Sequence, residues 1–214
     1  MKKKFSLIIT MAACFCMLLG GCGKKLTVED APDYVKSALD TCYKGEFEAY
    51  MEFTNSTEEE AQALYNDGID ANMEASGITD SAINISQELQ DQYRQLFIGL
   101  LGISKYTVGE AKEDGDGFTV EVSVEPFTMF DSLQDDLINE ISTVDPSTLT
   151  TEDEMNTLVY QKMYDLMSAK LNSPEYGEPQ TVTVHIQPDD DGIQTINEED
   201  LVQIDTIMYA SMLE

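Results

Sequence analysis

Lys105-Tyr106-Thr107-Val108-Gly109-Glu110-Ala111-Lys112-Glu113-Asp114-Gly115-Asp116-Gly117-Phe118-Thr119-Val120-Glu121-Val122-Ser123-Val124-Glu125-Pro126 is the stretch whose reading decides the fold. On either side of it apolar residues recur at helical spacing; within it they alternate with polar ones, so the period drops from near 3.6 to 2. Tyr106 to Lys112 reads as a strand, Glu113 to Gly117 as a turn, and Phe118, Val120, Val122 and Val124 as one face of a second strand that Pro126 ends. A lone hairpin is only marginally stable in water, so its apolar face requires further strands or helices.

Working outward, Thr181 to Gln187 repeats the alternation. Val182, Val184 and Ile186 share one face, and Thr181, Thr183 and His185 the other. Asp189-Asp190-Asp191-Gly192 turns this strand into a short fourth one at 193–196. Everything else reads as helix. Asp30 is the expected cap of a first helix to Tyr43, with Pro32 and Asp33 in its first turn. After Gly45 a short helix carries Phe47, Tyr50 and Met51. Two overlapping capping boxes, Ser56 with Glu59 and Thr57 with Glu60, open a third that Gly77 stops. A fourth spans 85–101. A fifth, Met129 to Ser142, is expected to turn Leu133, Leu137, Ile138 and Ile141 inward. A sixth, Thr151 to Leu171, carries Met155, Leu158, Val159, Met163 and Leu166 on one stripe. Asn197 caps a last helix bearing Leu201, Ile204, Met208 and Met212. The expected fold is α+β and mostly helical, a small antiparallel sheet of two hairpins packed against the helices as one domain over 30–214.

The first residues set the compartment. Lys2, Lys3 and Lys4 precede an almost uninterrupted apolar run from Phe5 to Leu18, and Leu19-Gly20-Gly21-Cys22 then places small residues before a cysteine. This is the layout of a secretory signal. Its end resembles the lipobox of bacterial lipoproteins, which implies a signal peptide at 1–21, diacylglyceryl on Cys22 and a tether at 22–29. A plain membrane helix is the alternative, but the apolar run falls short of the ~20 residues that a bilayer span needs. Acyl chains anchor through about 0.8 kcal/mol per buried methylene, and Lys24 and Lys25 add roughly 1 kcal/mol each beside anionic headgroups.

Charge excludes one class of partner. The chain has 12 Lys+Arg against 41 Asp+Glu; without the three signal lysines nine bases face the same 41 acids. Such a field repels phosphate backbones and excludes nucleic acid. Of the four cysteines, Cys14 and Cys16 leave with the signal and Cys22 takes the lipid. Cys42 remains alone, and its spacing with Val35, Ala38 and Leu39 predicts a buried thiol and a monomer.

Tyr43-Lys44-Gly45-Glu46-Phe47-Glu48-Ala49-Tyr50, followed by Thr54-Asn55-Ser56-Thr57-Glu58-Glu59-Glu60-Ala61, resembles the N-terminal part of a large group of uncharacterised lipoproteins from Gram-positive, Clostridia-type bacteria. Their Lys-Tyr-x-Val and Val-x-Val-x-Pro elements correspond to Lys105 to Val108 and Val122 to Pro126. The resemblance covers most of the mature chain and implies a lipoprotein on the extracytoplasmic face. It brings no activity.

Catalytic constellations are absent from the sequence. His185 is the sole histidine, so a two-histidine metal site is excluded, and no G-x-S-x-G, H-E-x-x-H, Walker loop or G-x-G-x-x-G occurs. Glu58 to Glu60, Glu152 to Glu154 and Glu198 to Asp200 fall in first turns of helices, where negative charge complements the macrodipole. Asp189 to Asp191 does not. Aligning Gly192 with the sixth position of a calcium loop puts Asp189, Asp191 and Glu198 at ligand positions, but Gln187 then replaces the leading aspartate and a strand replaces the leading helix. A charged hairpin turn is the reading preferred, with these three as candidate metal ligands. No cofactor is expected.

The function expected is a membrane-anchored, non-enzymatic binding or scaffolding module for an extracytoplasmic protein, peptide or small ligand. One alternative is a peptide-binding folding helper that uses Met155, Met163 and Met167 with Met208 and Met212 as a groove. The other is a carboxylate-dependent hydrolase, which needs two converging acids in a cleft.

Overall fold

The computed structural model describes residues 26–145, 149 and 151–213, arranged as eight helices and four strands among the described residues. The signal and residues 22–25 of the tether, Cys22 among them, lie outside them.

The strands Lys105–Asp114 (β1), Gly117–Glu125 (β2), Gln180–Pro188 (β3) and Gln194–Ile196 (β4) form one sheet in the order β1-β2-β3-β4. All three pairings are antiparallel. The expected five-residue turn tightens to Gly115 and Asp116, because Asp114 pairs with Gly117. Gly117 allows the two hairpins to meet: a Cβ there would lie 2.0 Å from the Ile186 carbonyl oxygen. The Val120↔Val184 and Val122↔Val182 pairs then align both apolar faces, and Val120, Val122, Val124, Val182, Val184 and Ile186 are all buried. Between Val108 and Ala111 the register shifts, which marks a bulge at Gly109 and Glu110.

Helices cover that face. Ala31–Lys44 (α1) packs on β1 and β2, and Glu198–Met208 (α7) on β2 and β3. Glu48–Thr54 (α2), Glu58–Ala75 (α3) and Gln87–Gly102 (α4) lie against α1. Leu133–Ser142 (α5) and Glu152–Leu171 (α6) form a hairpin that rests on α4 through α6. Ala210–Leu213 (α8) follows Tyr209, which is wholly buried and splits the expected last helix in two. The mostly helical α+β fold is therefore as expected.

Local chemistry explains most boundaries. Thr57 and Thr151 make full capping boxes with Glu60 and Glu154, and Ser86 and Asn197 cap α4 and α7. The overlapping Ser56 box does not form, because the Ser56 hydroxyl pairs with that of Thr54 at 2.7 Å. Asp30 does not cap α1 either; its carboxylate accepts from the Thr27 N–H and hydroxyl and shapes the turn before the helix. Two helical stripes differ from expectation. Helix α5 begins at Leu133, since Phe127, Met129 and Phe130 plug the core as irregular chain, and Ile138 is 53% exposed. On α6 the buried residues are Tyr160 and Met167, while Met155 faces solvent. Among the described residues no helix is long and apolar enough to cross a membrane.

Candidate functional site

The spacing that elsewhere buries a core is taken by polar residues where α4 borders α3. On α4, Gln87, Gln90, Asp91 and Arg94 stand at i, i+3, i+4 and i+7, and on α3 Asp70, Met73 and Glu74 at i, i+3 and i+4. Because the helices pack side by side, the two stripes and Thr79 line an open cleft of about 320 Å³. Arg94, the sole arginine of the sequence, crosses it to pair with Asp70. The Gln87 amide donates to Asp91 at 2.9 Å and that of Gln90 to the Ile85 carbonyl at 3.1 Å. Three carboxylates facing one guanidinium suit a neutral or cationic polar ligand better than an anion. Sequence reading missed this cleft; the single arginine at a helical offset from Gln87, Gln90 and Asp91 was the available signal.

A second polar group is internal. The Asp40 carboxylate on α1, 6% exposed, accepts from Lys36, from Lys44 at 2.7 Å and from the Tyr106 hydroxyl at 2.5 Å. Burial alone would push the Asp40 carboxyl up; those three donors overcome it and hold it below the ordinary range. Nearby, the Tyr43 hydroxyl donates to Asp205 of α7, and burial with the Asp205 charge raises the Tyr43 hydroxyl well above its usual value. Tyr209 pairs with Ser104 at 3.1 Å. These bonds tie α1 to β1 and α7, and Cys42 is buried beside them as expected.

His185 lies on the outer face of the sheet and is half-buried. Its Nδ1 meets Asp200 Oδ2 at 2.8 Å, and the same oxygen accepts the His185 backbone N–H. The short β4 ends at Ile196, so Asp200 from α7 satisfies a strand donor that the edge leaves open. The pair is a structural cap in geometry.

The candidate metal ligands are placed differently from a calcium loop. Asp189 Oδ1 accepts from the N–H groups of Asp191 and Ile193, which closes the β3–β4 turn, while Glu198 stands in the first turn of α7. Among the described residues no three His, Cys, Asp or Glu side chains gather as metal ligands would. The methionine groove does not form from the residues expected: Met167 and Met208 are fully buried, and α6 packs on α4 and α5 while α7 packs on the sheet. Phe47 and Phe53 are half-buried at the edge of the core, and Tyr50 lies within it. Cys22 lies outside the described residues.

Neither a family model nor a curated protein matches the sequence. The fold is similar to the crystal structure of a candidate lipoprotein, ycdA, from Bacillus subtilis, with a TM-score of 0.56 and 16% identity over 85% of this chain. The match spans 56% of that protein's length.

Proposed function

We propose that the protein is a lipoprotein held by Cys22 on the outer face of the cell membrane, and that its body binds or scaffolds rather than catalyses. The observation that carries this reading is the basic start, apolar run and Leu19-Gly20-Gly21-Cys22 ending of the first segment. The fold shared with a candidate lipoprotein supports it.

Titration behaviour supports the non-enzymatic part. Catalytic acids and bases are tuned toward the working pH. The shifts here run the other way. Burial pushes the Tyr34 hydroxyl up to about 12 and raises Tyr50, Tyr93 and Tyr106 further, while the Asp40 and Asp136 carboxyls fall below their ordinary values. Such groups stay neutral or charged throughout the physiological range. The α3–α4 cleft is the body's candidate ligand site, with a small, neutral or cationic polar molecule as the ligand class.

Intact-mass measurement on membrane-extracted protein tests the anchor. The expected chain begins at Cys22 and carries acyl mass, and Cys22→Ser abolishes both. Unmodified wild-type protein that retains residues 1–21 would overturn the reading.

A further inference from the structure

We infer that the lipid anchor stands the body on one particular end, the end formed by the β1–β2 and β3–β4 turns, so that a lipid surface is the partner of that end. The inference rests on the proposed acylation of Cys22 and adds an orientation to it.

Leu26 is 8% exposed and belongs to the hydrophobic core, and directly after it Thr27 and Asp30 close the turn that enters α1. Only residues 23–25 separate this fixed point from Cys22. Four residue steps of extended chain reach at most ~14 Å. The point where the body begins is therefore held within about half a domain's width of the headgroups.

Helix α1 runs opposite to β1. Its C-terminal part meets the strand's start through Asp40 and Tyr106. Its N-terminal part meets the sheet's other end, where the Tyr34 hydroxyl donates to the Gln194 carbonyl at 3.5 Å and the Gln194 amide donates to the Asp116 carbonyl at 3.0 Å. Both hairpin turns lie there, and so does the start of α1. Glu113, Asp114, Asp116, Asp190 and Asp191 are exposed on that end. Like charge keeps them from entering an anionic headgroup layer, so the end faces the membrane without inserting. The chain at Glu178, beyond the far end of β3, points away from the bilayer.

The test uses the processed protein from producing cells, reconstituted into phosphatidylcholine–phosphatidylglycerol vesicles with an acceptor dye on the headgroups. Asp190→Cys and Glu178→Cys remove the same charge and take the same donor dye, with the parent chain and its buried Cys42 as labelling control. Asp116→Cys and Gln180→Cys repeat the comparison if either first variant fails to fold. The eight steps of β3 separate the two ends by about 26 Å, so position 190 should transfer at least about twofold more energy to the headgroup acceptor than position 178. Equal or reversed transfer in protein whose mass includes the acyl group overturns the orientation alone. Protein without acyl mass overturns the orientation together with the proposed anchor.

Discussion

Helices α1 and α6 differ in what surrounds them, and the difference sets how each can be read and how each can be broken. Ten of the fourteen residues of α1 are buried, among them Ser37, Asp40 and Thr41; of the twenty in α6 only Tyr160 and Met167 are. The first is enclosed by the sheet, α2, α3 and α4. The second lies on α4 and α5, and most of its residues are only partly covered. A helix enclosed on several sides must satisfy its polar groups from neighbours, and α1 does so through Tyr106 and Glu46. A peripheral helix can leave them to solvent, so its sequence is less constrained.

The largest expected contrast comes from placing a carboxylate on each helix. Val35 is fully buried on α1 and Met155 is exposed on α6. An unpaired charge at Val35 costs several kcal/mol in a domain whose whole stability is about 5 to 15 kcal/mol. Val35→Asp should therefore lack a cooperative thermal transition, whereas Met155→Asp should melt as the wild type does. Equal melting curves would show that the two helices are not differently enclosed.

Truncation sharpens the same point within α6. Met167 is fully buried and Met155 is 39% exposed. Met167→Ala should lose about 2 to 5 kcal/mol in denaturant unfolding, and Met155→Ala should stay within about 0.5 kcal/mol of wild type. Similar losses at both positions would restore the stripe that contains Met155.

Polar enclosure of α1 adds a pH signature. Lys36, Lys44 and Tyr106 hold Asp40 below its ordinary value despite burial. A depressed carboxyl contributes stability that is complete above its unfolded pKa of about 3.9 and is lost as pH falls through the folded value. Asp40→Asn should thus cost about 1 to 3 kcal/mol at neutral pH, and the gap from wild type should narrow below roughly pH 4. A gap independent of pH would mean that the donors do not act on the charge.

The same contrast explains what was legible. Strand faces were readable because a period of 2 leaves two choices and Val120, Val122 and Val124 settle them. On α1 the positions Val35, Ala38, Leu39 and Cys42 gave the phase, and all four are buried. On α6 apolar residues occur on every side, so counting them included Met155, which is exposed, beside Met163 and Leu166, which pack against the core, and left out Tyr160; tyrosine is amphipathic, and Tyr160 enters the core while its hydroxyl donates to the Ser76 carbonyl. Local capping read correctly at Thr57 and Asn197, where the partners are two or three residues away. Pairs far apart in sequence, Tyr43 with Asp205, Asp70 with Arg94 and His185 with Asp200, depend on how the elements pack and left no local signal. The α3–α4 cleft also exists only once the two helices lie side by side, although its α4 half, Gln87, Gln90, Asp91 and Arg94, was visible in the sequence.

The smallest effect lies in the ion pairs that join α5 to α6. Lys170 reaches Asp136 at 3.0 Å and the Ser132 hydroxyl at 3.1 Å, and the hydrogen bond from Ser132, followed by that from Lys170, lowers the Asp136 carboxyl. The geometry resembles that at Asp40, but Asp136 is 38% exposed and Asp40 only 8% by side chain. Exposed pairs contribute about 0.2 to 1 kcal/mol, and salt screens them over roughly 8 to 10 Å. Lys170→Met should therefore lower stability by less than about 1 kcal/mol at low ionic strength. Because mobile ions reach this pair and not the enclosed one, the loss should fade in high salt, while the loss from Asp40→Asn should persist. If salt leaves the Lys170→Met difference unchanged, the α5–α6 pair is as enclosed as the α1 cluster and the two regions are not distinguished by solvent access.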